Sequence, residues 1–524
     1  MRKYPVGIQT FSEIVQNKYV YVDKTDLTWN LAHYAKYVFL SRPRRFGKSL
    51  LTSTLESYFR GEKDLFDGLK IMQYEKEWTE YPVFRIDMSQ CKSQKNGNDF
   101  QARLMLLLEE YALQYGKNEL ETTPGGLLSG LIRRAYEQIG KQVVVIIDEY
   151  DAPLLEILYE ESVLEDMRRV MQEFYLPLKA NERYIKFCFI TGITKFSQLS
   201  IFSTINNLTN VTMNPMFANI CGITDDELKT ELKVDVERLA ELNGLTYDEM
   251  QLKLKQYYDG YHFTKLNVDI YNPFSLMNTF LNGELANYWF DSGTPSFLIR
   301  QIKYFKTDIT SFDNKEVPSV AFDQPTENMK DVLPLLYQSG YLSIKSYNPE
   351  TNSYTLSIPN QEVRIGYTQG LMSVYAGLNE ADVQMGFAAK FWLALKQGDI
   401  EQAMKEMQVY LAGIPYIEGF KQKLADAATA EGFYEYTMYL IFSMLNVYVR
   451  TQVKCANGRI DMVVWMPDTT YVFEFKTTGK AIDALRQIDE KGYAFPYQTE
   501  GRKVVKIGVK FQTDTRIPES WVIA

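Results

Sequence analysis

Tyr37-Val-Phe-Leu-Ser-Arg-Pro-Arg-Arg-Phe-Gly-Lys-Ser-Leu-Leu51 is a short apolar run, then a basic loop, then the start of a helix. Tyr37 to Leu40 suits a buried strand, and Leu50, Leu51, Leu55 and Phe59 give the following helix an apolar face. In such a strand-loop-helix the first amides of the helix point back at the loop and attract anions. Lys48 adds an ammonium, and Ser49 a hydroxyl suited to a Mg²⁺ that accompanies a triphosphate. The candidate nucleotide-binding residues are therefore Gly47, Lys48 and Ser49, with Arg44 and Arg45 before them. The loop departs from G-x-x-x-x-G-K-[ST] at its first position, where Arg42 stands in place of Gly, and Pro43 removes an amide that would face phosphate. Arg44 and Arg45 either compensate with charge or form a solvated basic turn.

Val143-Val-Val-Ile-Ile-Asp148-Glu149-Tyr150-Asp151 supplies the second half. A run apolar on both faces fits a central parallel strand, and carboxylates at its C-terminal end stand where ligands bind in open α/β sheets. Asp148 would hold the Mg²⁺ through water, and Glu149 would orient and deprotonate the attacking water. Pro82 to Ser89 reads as another strand. The run Ile185 to Ile193 is a further one, and its Thr191 either senses the γ-phosphate or is an ordinary strand-end threonine. Between the strands the pattern predicts a strand and turn over Tyr19–Thr25, helices over Asp26–Tyr34 and Asp99–Tyr115, a Pro-Gly-Gly break at 124–126, and helical structure over Asp225–Tyr258. Asp23, Lys24 and Thr25 are expected against the nucleotide base. Strands alternating with helices imply right-handed crossovers and a mainly parallel sheet.

Five hundred and twenty-four residues exceed one core, and the 46% hydrophobic and 23% charged composition is that of an ordinary globular protein. Met1-Arg-Lys-Tyr-Pro lacks an apolar signal core, and Met438 to Val449 is too short and too aromatic to span a bilayer, so no membrane and a cytoplasmic setting are expected. Cys91, Cys188, Cys221 and Cys455 form no C-x-x-C pair. With two histidines, His33 and His262, any chemistry falls to carboxylates, lysine and metal. The net charge of −9 argues against a broadly basic surface, yet residues 450–524 hold twelve Lys and Arg against nine Asp and Glu.

The C-terminal hundred residues carry a second constellation: Glu435 on an apolar helix, Gly458-Arg-Ile-Asp461-Met-Val-Val-Trp465, and Tyr471-Val-Phe-Glu474-Phe-Lys476. Two apolar strands joined near Pro467-Asp468 form a hairpin with Asp461 at the start of the first, while Glu474 and Lys476, two apart, share a face of the second. Asp461 and Glu474 offer hard oxygen ligands for Mg²⁺ or Mn²⁺, and Lys476 could orient and help deprotonate a water. Gln487 or Tyr493 of the following helix could face the same place. The plain alternative is an outward face of salt-bridged Asp, Glu and Lys. Before this region, Asp331–Ser339, Tyr341–Lys345 and Ser353–Ile358 read as a helix and hairpin resembling a winged helix, a shape that touches DNA or serves as a packing module. Ala388–Leu411 and Phe420–Ala430 read as helices.

Arg42-Pro-Arg-Arg-Phe-Gly-Lys-Ser49, Val22-Asp-Lys-Thr25, Tyr258-Asp-Gly-Tyr261 and the tail together resemble the bacterial AAA-ATPase-like proteins that end in a PD-(D/E)XK nuclease domain. The resemblance covers nearly the whole chain. It implies an AAA-type P-loop α/β core with a helical lid and a restriction-endonuclease-like fold from about 430, so with the helix, hairpin and helices read above the expected domains are 1–284, a winged-helix-like module over 285–375, a helical connector over 376–429 and 430–524. It further implies Asp461, Glu474 and Lys476 as the nuclease motif, Glu435 as the helix acid and Gln487 as the residue of the following helix. ATP, a divalent metal, DNA and a second copy of the chain are the expected partners. A nucleotide-switched scaffold with a non-cleaving nuclease fold is the rival expectation.

Overall fold

The computed structural model describes residues 2–155, 157, 160–194, 207–266, 268–291, 314–323, 332–367, 381–412, 448–455, 458–466, 468–498, 501–512 and 517–524. The chain divides into two compact units, Met1–Trp289 with Asp313–Asn360, and Phe290–Phe312 with Gln361–Ala524.

In the first unit β1 (Tyr37–Ser41), β2 (Val83–Asp87), β3 (Val143–Asp148), β4 (Ile185–Gly192) and β5 (Thr209–Asn210) make one sheet in the order β2-β3-β4-β1-β5, all pairs parallel. β1 and β3 are buried along their whole length, as strands covered on both faces must be. The sequence pattern gives no sign of β5, because two polar residues carry no apolar run and only their pairing with Val38 and Phe39 makes them a strand. The strand expected over Tyr19–Thr25 does not form. Tyr19 makes a single bridge to Lys3, while Val20 packs into a cluster with Leu228, Leu232 and Tyr258.

Helices Gly97–Tyr115, Pro124–Ile139 and Glu161–Ala180 flank this sheet. The Pro-Gly-Gly stretch is a helix start rather than a break: the Thr123 hydroxyl accepts from the Gly126 amide at 3.2 Å, and Pro124 occupies the first turn, where a missing N–H costs nothing. β2 is an edge strand. The Tyr111 hydroxyl seals it at Arg85, accepting from the amide at 2.9 Å and donating to the carbonyl at 2.7 Å.

The expected helical lid is three helices, Asp225–Thr230, Lys233–Leu242 and Tyr247–Tyr258, two of them started by capping boxes at Thr224 and Thr246, beside the short pair β6 (Ile223–Thr224) and β7 (Ile270–Tyr271). The Tyr258-Asp-Gly-Tyr261 turn receives residues 359 and 360. Asn360 Nδ2 donates to the Asp259 carbonyl at 2.7 Å, and at Gly260 (φ +88°) a Cβ would stand 2.2 Å from the Pro359 carbonyl. Helix Leu333–Ser339 stops at Gly340 in a left-handed conformation, and β8 (Lys315–Pro318), β9 (Ser343–Asn348) and β10 (Ser353–Ser357) form an antiparallel sheet ordered β8-β10-β9.

In the second unit β11 (Tyr448–Cys455), β12 (Gly458–Trp465), β13 (Thr469–Lys476), β14 (Lys503–Phe511) and β15 (Pro518–Ile523) pair in sequence order, parallel between β13 and β14 and antiparallel elsewhere. Helix Ala481–Glu490 makes the crossover for the parallel pair. The helix expected over Ala388–Leu411 is two, Ala381–Gln397 and Ile400–Ala412, parted at Gly398 (φ +73°) and restarted by Asp399, which accepts from the Gln402 amide. Both pack on the sheet: the Tyr471 hydroxyl donates to the Leu395 carbonyl at 3.0 Å, and Gln408 to the Pro518 carbonyl at 2.8 Å. The expected helix 420–430, Glu435 and most of the Met438–Val449 run lie outside the described residues. Among those described, no helix is long and apolar enough to cross a membrane.

Candidate functional site

The loop between β1 and helix Lys48–Phe59 turns through two left-handed residues, Arg45 (φ +67°) and Gly47 (φ +94°). Lys48 is buried and donates to the Pro43 carbonyl at 3.0 Å. Burial pulls its ammonium below the usual lysine range, while Asp148, Glu149 and Asp151 pull the other way. Arg44 and Arg45 are exposed, with the Arg45 guanidinium 4.4 Å from the Phe274 ring centroid. Arg42 is not part of the basic face. It is 1% exposed and donates to the carbonyls of Ser41, Thr212 and Phe217 at 2.9, 2.8 and 2.8 Å, so it anchors the loop where a glycine would have let it bend.

β4 stands between β1 and β3, which brings the loop, Thr191 and the acidic turn to one end of the sheet. Asp148 is buried; it hydrogen-bonds Ser49 and accepts from Thr52 Oγ1 at 3.2 Å, and burial raises its carboxyl above the usual range against the pull of Ser49 and Lys48. Glu149 has φ +47°, a conformation that costs a residue with a Cβ about 1–3 kcal/mol, and its carboxylate meets Lys92 at 3.0 Å. The Thr191 hydroxyl donates to the Leu40 carbonyl at 2.7 Å. Asp151, fully buried, accepts from the Ile193 and Thr194 amides at 3.0 and 2.7 Å and from the Thr194 hydroxyl, locking the turn to the end of β4. Asp23, Lys24 and Thr25 are engaged within the fold: Asp23 accepts from Thr25 and Lys70, Thr25 from Ile71, and Lys24 grips Glu227 through both carboxylate oxygens at 2.5 and 2.6 Å.

In the second unit the β12–β13 ladder runs from Trp465↔Thr470 to Met462↔Phe473 and stops there. One residue further on, Asp461 Oδ2 takes the Phe475 amide at 2.7 Å, a side chain doing what a ladder carbonyl would do. Asp461 is thus inside its strand, which begins at Gly458, rather than at its start. Glu474 Oε1 accepts from Gln487 Nε2 and, at 3.4 Å, from Lys476, whose ammonium also donates to Gln487 Oε1 at 2.7 Å. Glu474 Oε2 is buried with no partner among the described residues. The carboxyl is pushed up to about 8 by burial and then by the Asp461 charge, against the pull of Lys476. The hairpin therefore gathers Asp461, Glu474, Lys476 and Gln487, while the Tyr493 hydroxyl is at the Arg459 amide, 3.3 Å away, by the Gly458 turn. Among the described residues no set of three or more His, Cys, Asp or Glu converges, so Asp461 and Glu474 stand as a pair.

A family model described as "Predicted AAA-ATPase" matches residues 5–202, and one described as "PD-(D/E)XK nuclease superfamily" matches 429–521. The chain is 31% identical over 530 residues to the "Uncharacterized protein in vnfD 5'region" of Azotobacter chroococcum mcd 1, covering 100% of this chain and 99% of that one. The chain belongs to the AAA-ATPase-like proteins that end in a PD-(D/E)XK nuclease domain. In this AAA-ATPase-like protein the donor set around the loop fits a nucleotide and its divalent ion: a buried ammonium held, among the described residues, only by a neutral carbonyl, with a hydroxyl and a carboxyl joined beside it. The nuclease-like hairpin fits a divalent cation through the partnerless Glu474 Oε2 and the adjacent Asp461. Sequence reasoning missed Asp151, Thr52 and Lys92. Asp151 had a signal, an acid directly before the Ala152–Leu155 turn; Lys92 had none, being 57 residues from Glu149.

Proposed function

We propose that the first unit binds and hydrolyses ATP and controls a metal-dependent DNA nuclease in the second, working in the cytoplasm. The observation that carries the reading is the hairpin cluster, in which a carboxyl oxygen buried without a partner among the described residues lies beside a second acid and within reach of an ammonium held by an amide. Asp461 and Glu474 would hold Mg²⁺ or Mn²⁺, which supplies Lewis acidity to a phosphodiester and lowers the pKa of a bound water. Lys476 holds positive charge where a pentacoordinate phosphate would gather negative charge, and Gln487 fixes the ammonium and Glu474 relative to each other. Glu435 would assist without being indispensable.

In the first unit Lys48 and the amides at the start of its helix would hold the phosphates, Arg44 and Arg45 would add charge at the rim, and Ser49 with Asp148 would hold the ion. Glu149 would take the proton of the attacking water, and Thr191 would respond to the γ-phosphate by turning its hydroxyl proton from the Leu40 carbonyl to a phosphate oxygen. The test is cleavage of single- and double-stranded DNA with Mg²⁺ or Mn²⁺, with and without ATP. Wild-type cleavage that disappears in Asp461→Asn and Lys476→Ala supports the reading. Absence of cleavage under every condition, with ATP still bound, would leave the nucleotide-switched scaffold in its place.

A further inference from the structure

A cavity of about 530 Å³ lies behind the phosphate loop, walled by Ser41, Arg42, Pro43, Thr212, Phe263 and Tyr337. One wall residue, Arg42, is a charge without a counter-charge among the described residues. Among the described residues Arg42 donates only to neutral carbonyls, its plane is stacked 4.4 Å from the Phe263 centroid, and the ionisable groups that act on it, Cys221 and Tyr337, are kept neutral by burial. Arg42 Nε and the hydroxyl of Tyr337, 6% exposed, have no hydrogen-bond partner among the described residues. A buried guanidinium with no carboxylate near it is costly, and the cost falls if an anion occupies the adjoining space. Flat aromatic rings make part of the wall, Phe263, Phe322 and Tyr337, the last two edge to face at 5.1 Å, beside the polar side chains of Asn210, Asn214 and Gln338.

We propose that this cavity binds a small organic anion with a planar apolar body, the acid group meeting Arg42 and Tyr337 and the body lying against Phe263 and Phe322. The site is separate from the phosphate loop's anion-binding side and does not depend on the nuclease reading. It also gives Arg42 a second use besides anchoring the loop.

Calorimetric titration of the full chain with indole-3-carboxylate and with its neutral isostere indole-3-carboxamide tests this. The carboxylate should bind about tenfold or more tightly than the carboxamide, since only the charged acid answers the guanidinium. Met213→Trp, which fills the cavity from a half-buried wall position, should abolish binding, and Tyr337→Phe, which keeps the ring and removes the hydroxyl, should weaken it several-fold. Binding should persist in Lys48→Ala and with saturating ATP. Equal affinity for acid and amide, no heat from either at millimolar concentration, affinity untouched by both cavity variants, or displacement by ATP would each overturn the proposal.

Discussion

Lys48 is a buried ammonium with a carbonyl for a partner, a state that an incoming phosphate would improve and truncation would erase. Lys48→Ala should weaken ATP binding by about 10- to 100-fold in calorimetry, whereas Glu149→Gln should bind ATP normally and stop turnover in a phosphate-release assay. Glu474 offers a pH test. Its folded value of about 8 lies above the ordinary 4.5, so the folded protein keeps a proton that the unfolded chain has lost. The associated stability is complete below about 4.5 and disappears as pH rises through about 8. In EDTA, thermal unfolding should show wild type losing ground between pH 5 and 9 by an amount on the order of a few kcal/mol, and Glu474→Gln should not. At this scale the grouping of Lys48 with Asp148, and of Asp461 with Glu474, was legible because each sits in a short spacing pattern. Lys92 and the anchoring by Arg42 were not, because both depend on neighbours distant in sequence.

Helices and strands were legible where apolar residues run or alternate over several positions, as in β1, β3, β13 and helix Gly97–Tyr115. β5 and β8 were illegible because tertiary pairing, not pattern, makes them strands. Pro-Gly-Gly misled at 124–126 and Gly398 was passed over inside one expected helix, since the same residues start helices or part them according to what caps the next turn. At Gly125 a Cβ would stand 2.4 Å from the Glu173 carbonyl, so helices Pro124–Ile139 and Glu161–Ala180 touch backbone to backbone there. Gly125→Ala should destabilise the first unit by about 1–3 kcal/mol in urea unfolding, despite alanine's better helix propensity. Tyr111→Phe, which leaves the Arg85 amide and carbonyl without their shared partner, should cost about 1–3 kcal/mol and leave the ATP affinity unchanged.

At the scale of the whole molecule the two candidate sites belong to different units, so their chemistries should separate cleanly. Lys476→Ala should remove DNA cleavage and leave ATP hydrolysis intact, while Lys48→Ala should slow or misdirect cleavage and leave Mn²⁺ binding in place. ATPase and nuclease rates measured for both variants on the same DNA decide it; cleavage indifferent to ATP and to Lys48→Ala would end the idea of control. The seal on β2 bears on the order of synthesis. A ribosome releases β2 before the helix that carries Tyr111 and well before β3, which starts at Val143. During that interval the strand has neither a neighbour on its inner side nor a hydroxyl on its outer one. Slowing translation between Asp87 and Tyr111 should therefore yield more insoluble protein than an equal pause placed after Asp148, because newborn chains would meet each other through that open strand.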